Sequence, residues 1–158
     1  MNTSLYRPVG LFELQKLVRA ELRAWPARLP QQPIFYPVLN RAYAAQIARD
    51  WNLDDPESGF SGFVTCFRVP RAQIAGYKTR TVGGKGHKEL WVPSEELAEL
   101  NAAMLGPIEV LEGWAGPRFA ECCPRPLPPH AEGRVLERFL DGLADLDLKA
   151  WRPALLKD

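Results

Sequence analysis

The 158-residue chain has little cysteine, little histidine and almost no surplus of charge. Its three cysteines, two of them adjacent at Cys122 and Cys123, are an odd and badly spaced set for a disulfide framework and fit a reducing, cytoplasmic setting. Only two histidines, His87 and His130, are present. A zinc site would need His130 with both adjacent cysteines, which rarely reach one ion together, so no metal is expected. Twenty Lys and Arg against 19 Asp and Glu give a net charge of +1. Such a balance argues against a DNA-wrapping or membrane-surface protein, whose affinity comes from excess cations. No stretch approaches the roughly 20 apolar residues of a membrane span, and Met1-Asn2-Thr3-Ser4-Leu5 lacks the basic and apolar start of a signal peptide. G-x-x-x-x-G-K-[ST], G-x-G-x-x-G, H-E-x-x-H and G-x-S-x-G are all missing.

What the chain does have is a core. It is 46% hydrophobic, and a chain of this length hides roughly 70% of its unfolded surface without needing staples. Leu5 to Val9 reads as a short strand, followed by a helix over about residues 10–24 through Leu11, Leu14, Leu17, Val18 and Leu22. Three prolines between Trp25 and Pro33 make that segment a loop. Ile34-Phe35-Tyr36 is a short strand, Asn40 caps a helix to about Trp51, and residues 60–69 have the composition of a buried strand. Residues 77–88 read as a glycine-rich loop, then come strand 89–92, a helix from Ser94, and a half-exposed strand at 108–112. Five prolines between 113 and 133 mark a change of composition, after which an amphipathic helix is expected over 134–148, with Val135, Leu136, Phe139, Leu140, Leu143 and Leu146 on one face. The order implies an α+β fold with a core over 1–113 and an extension over 114–158 that packs on it.

Charge is local rather than global. Residues 58–88 contain Arg68, Arg71, Lys78, Arg80, Lys85 and Lys88, together with His87, and no acid. With glycines interleaved, this stretch can offer cations and backbone N–H groups to a phosphate; equally, it can be a solvated face paired with Asp50, Asp54, Asp55 and Glu57. Glu89 ends the stretch at the start of a strand, where a carboxylate can orient a sugar hydroxyl or stabilise a developing cation, or simply sit at the surface. Arg7 lies in an apolar strand and must reach a carboxylate, a phosphate or water.

The strings Leu5-Tyr6-Arg7-Pro8-Val9-Gly10, Gln32-Pro33-Ile34-Phe35-Tyr36-Pro37-Val38-Leu39-Asn40, Ile47-Ala48-Arg49-Asp50-Trp51-Asn52, Thr81-Val82-Gly83-Gly84, His87-Lys88-Glu89-Leu90-Trp91-Val92-Pro93 and Gly106-Pro107-Ile108-Glu109-Val110 resemble a family of small bacterial proteins known by an "ADP-ribosylation" label. The resemblance covers about residues 3–113. The element order and polar positions are similar to those of an ADP-ribosyltransferase domain. That likeness implies two short, mainly antiparallel sheets with inserted helices, forming a cleft that holds NAD as substrate. It also implies Arg7, Tyr36 and Glu89 as catalytic residues. Arg7 and Tyr36 would hold the cofactor with Arg80, Lys85 and His87, and the 78–88 loop would be lid or phosphate clamp. Phe35-Tyr36-Pro37 replaces the Ser-Thr-Ser element of some members, and His87 stands where arginine-modifying members carry a Glu, so the macromolecular acceptor is not read across. Two other readings stand beside the enzyme. One is a non-catalytic binding or immunity-type module that grips a partner protein. The other is an RNA or nucleotide-phosphate binder using residues 78–88.

Overall fold

The structure, a computed structural model, describes residues 1–84 and 86–151. Among them, seven strands form two small antiparallel sheets with helices between, an α+β arrangement. Strands β1 (Asn2–Val9), β3 (Ser61–Pro70), β6 (Glu109–Ala115) and β7 (His130–Ala131) make a four-stranded sheet in the order β1-β3-β6-β7. Strands β2 (Ile34–Phe35), β5 (Lys88–Pro93) and β4 (Lys78–Thr81) make the second. Helices α1 (Leu11–Arg19), α2 (Arg41–Asp50), α3 (Arg71–Ile74), α4 (Leu97–Ala103) and α5 (Gly133–Leu140) connect or flank them. No helix among the described residues is long and apolar enough to cross a membrane.

The apolar run of β3 explains its place. A strand paired on both edges and covered on both faces must be hydrophobic almost throughout, and Phe63, Val64, Phe67 and Val69 are all buried. One face carries Phe63 and Phe67 into the main core with Leu5, Leu11, Leu14 and Leu17. The other face carries Val64 against Val38 and the alanines of α2, Ala44, Ala45 and Ala48. Close approach there depends on Gly62, where a Cβ would stand 2.4 Å from the Ala48 carbonyl oxygen. Asn40 starts α2 by accepting a hydrogen bond from the Tyr43 backbone N–H at 3.1 Å.

The two sheets are joined at one residue. Val38 bridges antiparallel to Tyr6 on one side and to Glu89 on the other. Its backbone exchanges two hydrogen bonds with Tyr6, at 2.9 and 2.7 Å, and its neighbours Pro37 and Leu39 pair with Leu90 and Lys88.

Several expected elements are shorter or different. Helix α1 stops at Arg19, because Glu21 and Leu22 adopt left-handed φ values of 56° and 58°, and the Leu22 carbonyl then accepts from Ile108. Part of the segment read as a loop, residues 78–81, pairs with β5 to form β4 with all four residues exposed, a polar edge strand that no periodicity reveals. Helix α5 ends at Leu140, with Gly142 at φ 77°, and continues as 3-10 turns over Leu143–Asp145 and Leu148–Trp151. Val135 is exposed, whereas Leu136, Phe139 and Leu143 are buried in the same cluster as Leu5. Residues 152–158 lie outside the described residues. Phe139 stacks on Phe63 at 5.8 Å, and the buried Gln15 of α1 donates to the carbonyls of Leu143 and Leu146 at 2.9 and 2.7 Å. These contacts bind the extension to the first helix and the central strand.

Polar contacts anchor it at β7 as well. His130 Nε2 lies 2.9 Å from Glu112 Oε1, and Arg41 donates to Glu112 Oε2 at 3.0 Å. Burial alone would raise the Glu112 carboxyl, but the hydrogen bonds and charges of His130 and Arg41 outweigh it and lower the carboxyl below its ordinary value. A depressed carboxyl adds stability that is complete above its unfolded pKa, about 4.3, and is lost as pH falls through the folded value. Urea unfolding from about pH 6 to about pH 3 should therefore show a loss of stability that Glu112→Gln makes shallower; an unchanged slope would refute the link. Gly62→Ala should lower stability by about 3 kcal/mol, the upper end for overpacking, read as a shift of the urea midpoint.

Candidate functional site

The short segment Phe35-Tyr36 divides two groups of side chains. Alternation along a strand sends Phe35 to the core, where it is buried, and Tyr36 the other way, where it is exposed. The same alternation along β5 buries Leu90 and Val92 and leaves Glu89 and Trp91 half-buried on the opposite face.

On the core side stands Arg7. It leaves β1 with Leu5 and Val9, and its guanidinium makes a two-pronged pair with Glu13 of α1, Nε to Oε2 at 2.8 Å and Nη2 to Oε1 at 3.0 Å. The side chain is 13% exposed, and the guanidinium carbon lies 4.7 Å from the Phe35 ring centre and 5.9 Å from that of Trp25. A cation among aromatic faces with one matching carboxylate is a stable arrangement in a half-dry site. The proline-rich loop adds two members. Trp25 is fastened by Asn101, which accepts from its backbone N–H at 2.8 Å and donates to its carbonyl at 3.0 Å. Arg28 stands with its guanidinium carbon 5.7 Å from the Phe35 ring centre and donates to the Ile34 carbonyl at 3.3 Å. Burial, and then the neighbouring charge of Arg7, push the Arg28 guanidinium below its ordinary value. Two guanidinium groups therefore share this region with the Glu13 carboxylate that pairs with Arg7, and Glu57 lines the cavity beside Arg28.

On the other side, Tyr36 meets Trp91 edge-on with ring centres 5.3 Å apart, and the Arg80 guanidinium lies 4.2 Å over the Trp91 ring. Arg80 is also the cross-strand partner of Glu89. The Tyr43 hydroxyl of α2 hydrogen-bonds the Glu89 carboxylate, and the Tyr43 ring stacks on His87 at 4.3 Å with planes 6° apart. Tyr36, Arg80 and Glu89 thus gather around Trp91 and its strand, and His87 joins them through Tyr43. Arg7 does not share a contact with Glu89: its pairs run to Glu13, Phe35 and Trp25, and only Arg28, which feels the charges of both Arg7 and Tyr36, lies between the groups. Lys85 lies outside the described residues.

Three buried side-chain donors have no hydrogen-bond partner among the described residues: Trp25 Nε1, Arg28 Nε and Trp91 Nε1. All three surround Phe35-Tyr36, since Trp25 and Arg28 pack on Phe35 and Trp91 on Tyr36. Indole and guanidinium N–H groups only donate, and leaving each one buried and unpaired costs about 1–3 kcal/mol. A cavity of about 450 Å³ adjoins Arg28, with Glu13, Lys16, Gln31 and Gln32 in its wall.

Elsewhere, single ligand atoms of Glu112, His130 and Glu132 lie within 4.8 Å of one another, but Arg41 and His130 already take both Glu112 oxygens. Trp25, Arg28 and Tyr43 carry no motif in the sequence. The one signal for the first two is a tryptophan directly before Pro26 and an arginine between Pro26 and Pro30, and for Tyr43 it is its place three residues after the capping Asn40. Comparison of the chain with family models, curated proteins and solved structures returned no match.

Burial raises the Tyr43 hydroxyl above its ordinary value, and the charge of Glu89 and the hydrogen bond to it add to the rise. Removing the charge with Glu89→Gln should bring the ionisation of one tyrosine to lower pH in an ultraviolet titration. That difference should vanish in a Tyr43→Phe background; a titration unmoved by Glu89→Gln would refute the contact.

Proposed function

We propose that this chain binds NAD or a related dinucleotide along the Phe35-Tyr36 segment and transfers ADP-ribose from it, as an ADP-ribosyltransferase-like protein. The observation that carries the reading is the gathering of Tyr36, Arg80 and Glu89 about Trp91, whose buried indole N–H has no partner among the described residues, because a dinucleotide can offer that group an acceptor, an anion and a sugar hydroxyl. The resemblance of residues 3–113 to proteins of that label points the same way. In this reading Arg80 meets the phosphates, Tyr36 and Trp91 wall the sugar and ring, and His87 borders the site. Glu89 accepts a hydrogen bond from the ribose 2′-hydroxyl. The bond from the anomeric carbon to the nicotinamide nitrogen then breaks, its electron pair leaving with nicotinamide, while positive charge grows on the sugar opposite the carboxylate. The acceptor nucleophile forms the new bond and gives up its proton. Tyr43 holds Glu89 in place for this role and adds no charge.

A second reading, a binding module without turnover, is favoured by one observation. Arg7 is already held by Glu13 in a two-pronged ion pair, an arrangement that suits a structural cation.

Calorimetric titration with NAD and assay of nicotinamide release separate the two. Transfer predicts saturable NAD binding, and a loss of release of about 100-fold or more in Glu89→Gln with affinity nearly unchanged. Binding without release in the wild-type protein selects the second reading. An absence of binding at millimolar NAD refutes the transferase.

A further inference from the structure

Helix α2 has two working faces. Ala44, Ala45 and Ala48 are buried against the four-stranded sheet. Tyr43, Ile47 and Trp51 repeat at every fourth residue and so form a second stripe, which ends in the residue after the helix. Opposite this stripe stand Val82, Gly83, Gly84 and His87 of the turn after β4. The two walls enclose a cavity of about 560 Å³ that also takes in Gln46. Ligand pockets span roughly 300–1,000 Å³, with mostly apolar and aromatic walls and a few polar groups.

The lining is flat and uncharged. His87 and Tyr43 lie stacked. Trp51 is 70% exposed and Val82 43%, so an indole face and an isopropyl group border the cavity with little to cover them. At its inner end the Tyr43 hydroxyl hydrogen-bonds Glu89. The neighbouring strands β4 and β5 carry Lys78, Arg80 and Lys88, with Glu89 as their one acid. Of these cations, Arg80 is the one that faces Glu89 across the two strands.

We propose that this cavity is a second subsite that receives the planar base of a nucleotide, stacked on Trp51 and flanked by Val82. The sugar lies toward Tyr43 and Glu89, and the phosphate toward Arg80, the cross-strand partner of Glu89. The inference rests on the nucleotide reading above for the class of ligand, and it places a base on the far side of Glu89 from Tyr36. Stacking tolerates any base, because each has a π-face, whereas the cations require the phosphate.

The probes are adenosine monophosphate and nicotinamide mononucleotide, titrated separately and read by tryptophan fluorescence and calorimetry. At least one should quench fluorescence saturably in the wild-type protein. Trp51→Ala should abolish that quench and weaken calorimetric affinity by roughly tenfold or more, while Trp151→Phe should leave both unchanged. Affinity untouched by Trp51→Ala overturns the proposal, as does failure of both probes to bind. The two readings also fail separately. Trp51-dependent binding of a mononucleotide without nicotinamide release from NAD leaves this subsite standing and removes the transferase. Release from NAD with a KM indifferent to Trp51→Ala does the reverse.

Discussion

Val38 is the residue on which the arrangement turns. Its backbone pairs with Tyr6 on β1, the edge strand of one sheet, and with Glu89 on β5, the central strand of the other. The open edge of β1 is covered there by a single extended residue that continues the line of β2 along β5. Its side chain is buried between the sheet and α2, so the joint is held by packing as well as by hydrogen bonds. The joint also sorts the polar groups: Glu89 beside it comes within reach of Tyr43 on α2, and Arg7 beside Tyr6 is turned to the opposite face, toward Glu13.

The remainder of the fold braces that joint. β3 carries α1 on one face and α2 on the other, and Gly62 lets α2 close to backbone contact. The extension completes the core, with Phe139 on Phe63 and the Leu143 and Leu146 carbonyls tied to Gln15. The proline-rich loop is ordered for a related reason: Asn101 of α4 satisfies both backbone polar groups of Trp25, which lets a buried indole anchor a segment that lacks regular hydrogen bonding. That anchoring puts Arg28 beside Arg7.

Much of this was legible along the chain, where local rules govern. Asn40 as a cap, the buried run of β3, Pro70 and Pro93 as strand ends, and an α+β order follow from capping chemistry, composition and the missing proline N–H. The misreadings come from long-range contacts. Leu22 fits the helical period yet leaves α1 to accept from Ile108, and Lys78–Thr81 becomes a strand only because β5 offers an edge. Leu143 fits the face of α5 and is buried, but through a chain reversal at Gly142. At the site, Glu89, Tyr36, Arg80 and His87 could be picked out as polar or aromatic residues near strand ends. Arg28, Trp25 and Tyr43 could not, since each matters only through a neighbour distant in sequence.

By itself the sequence determined which residues carry charge, where backbone turns are permitted and which stretches must be buried, because these depend on side-chain chemistry and local torsions. Only the tertiary structure decided which groups meet. It gave Arg7 to Glu13 and Glu89 to Tyr43, left three buried donors around Phe35-Tyr36 without partners, and opened a cavity beside Trp51. The reason is physical: a strand sends adjacent side chains to opposite faces, so the Val38 joint, formed between segments far apart in the chain, sets which face each group shares.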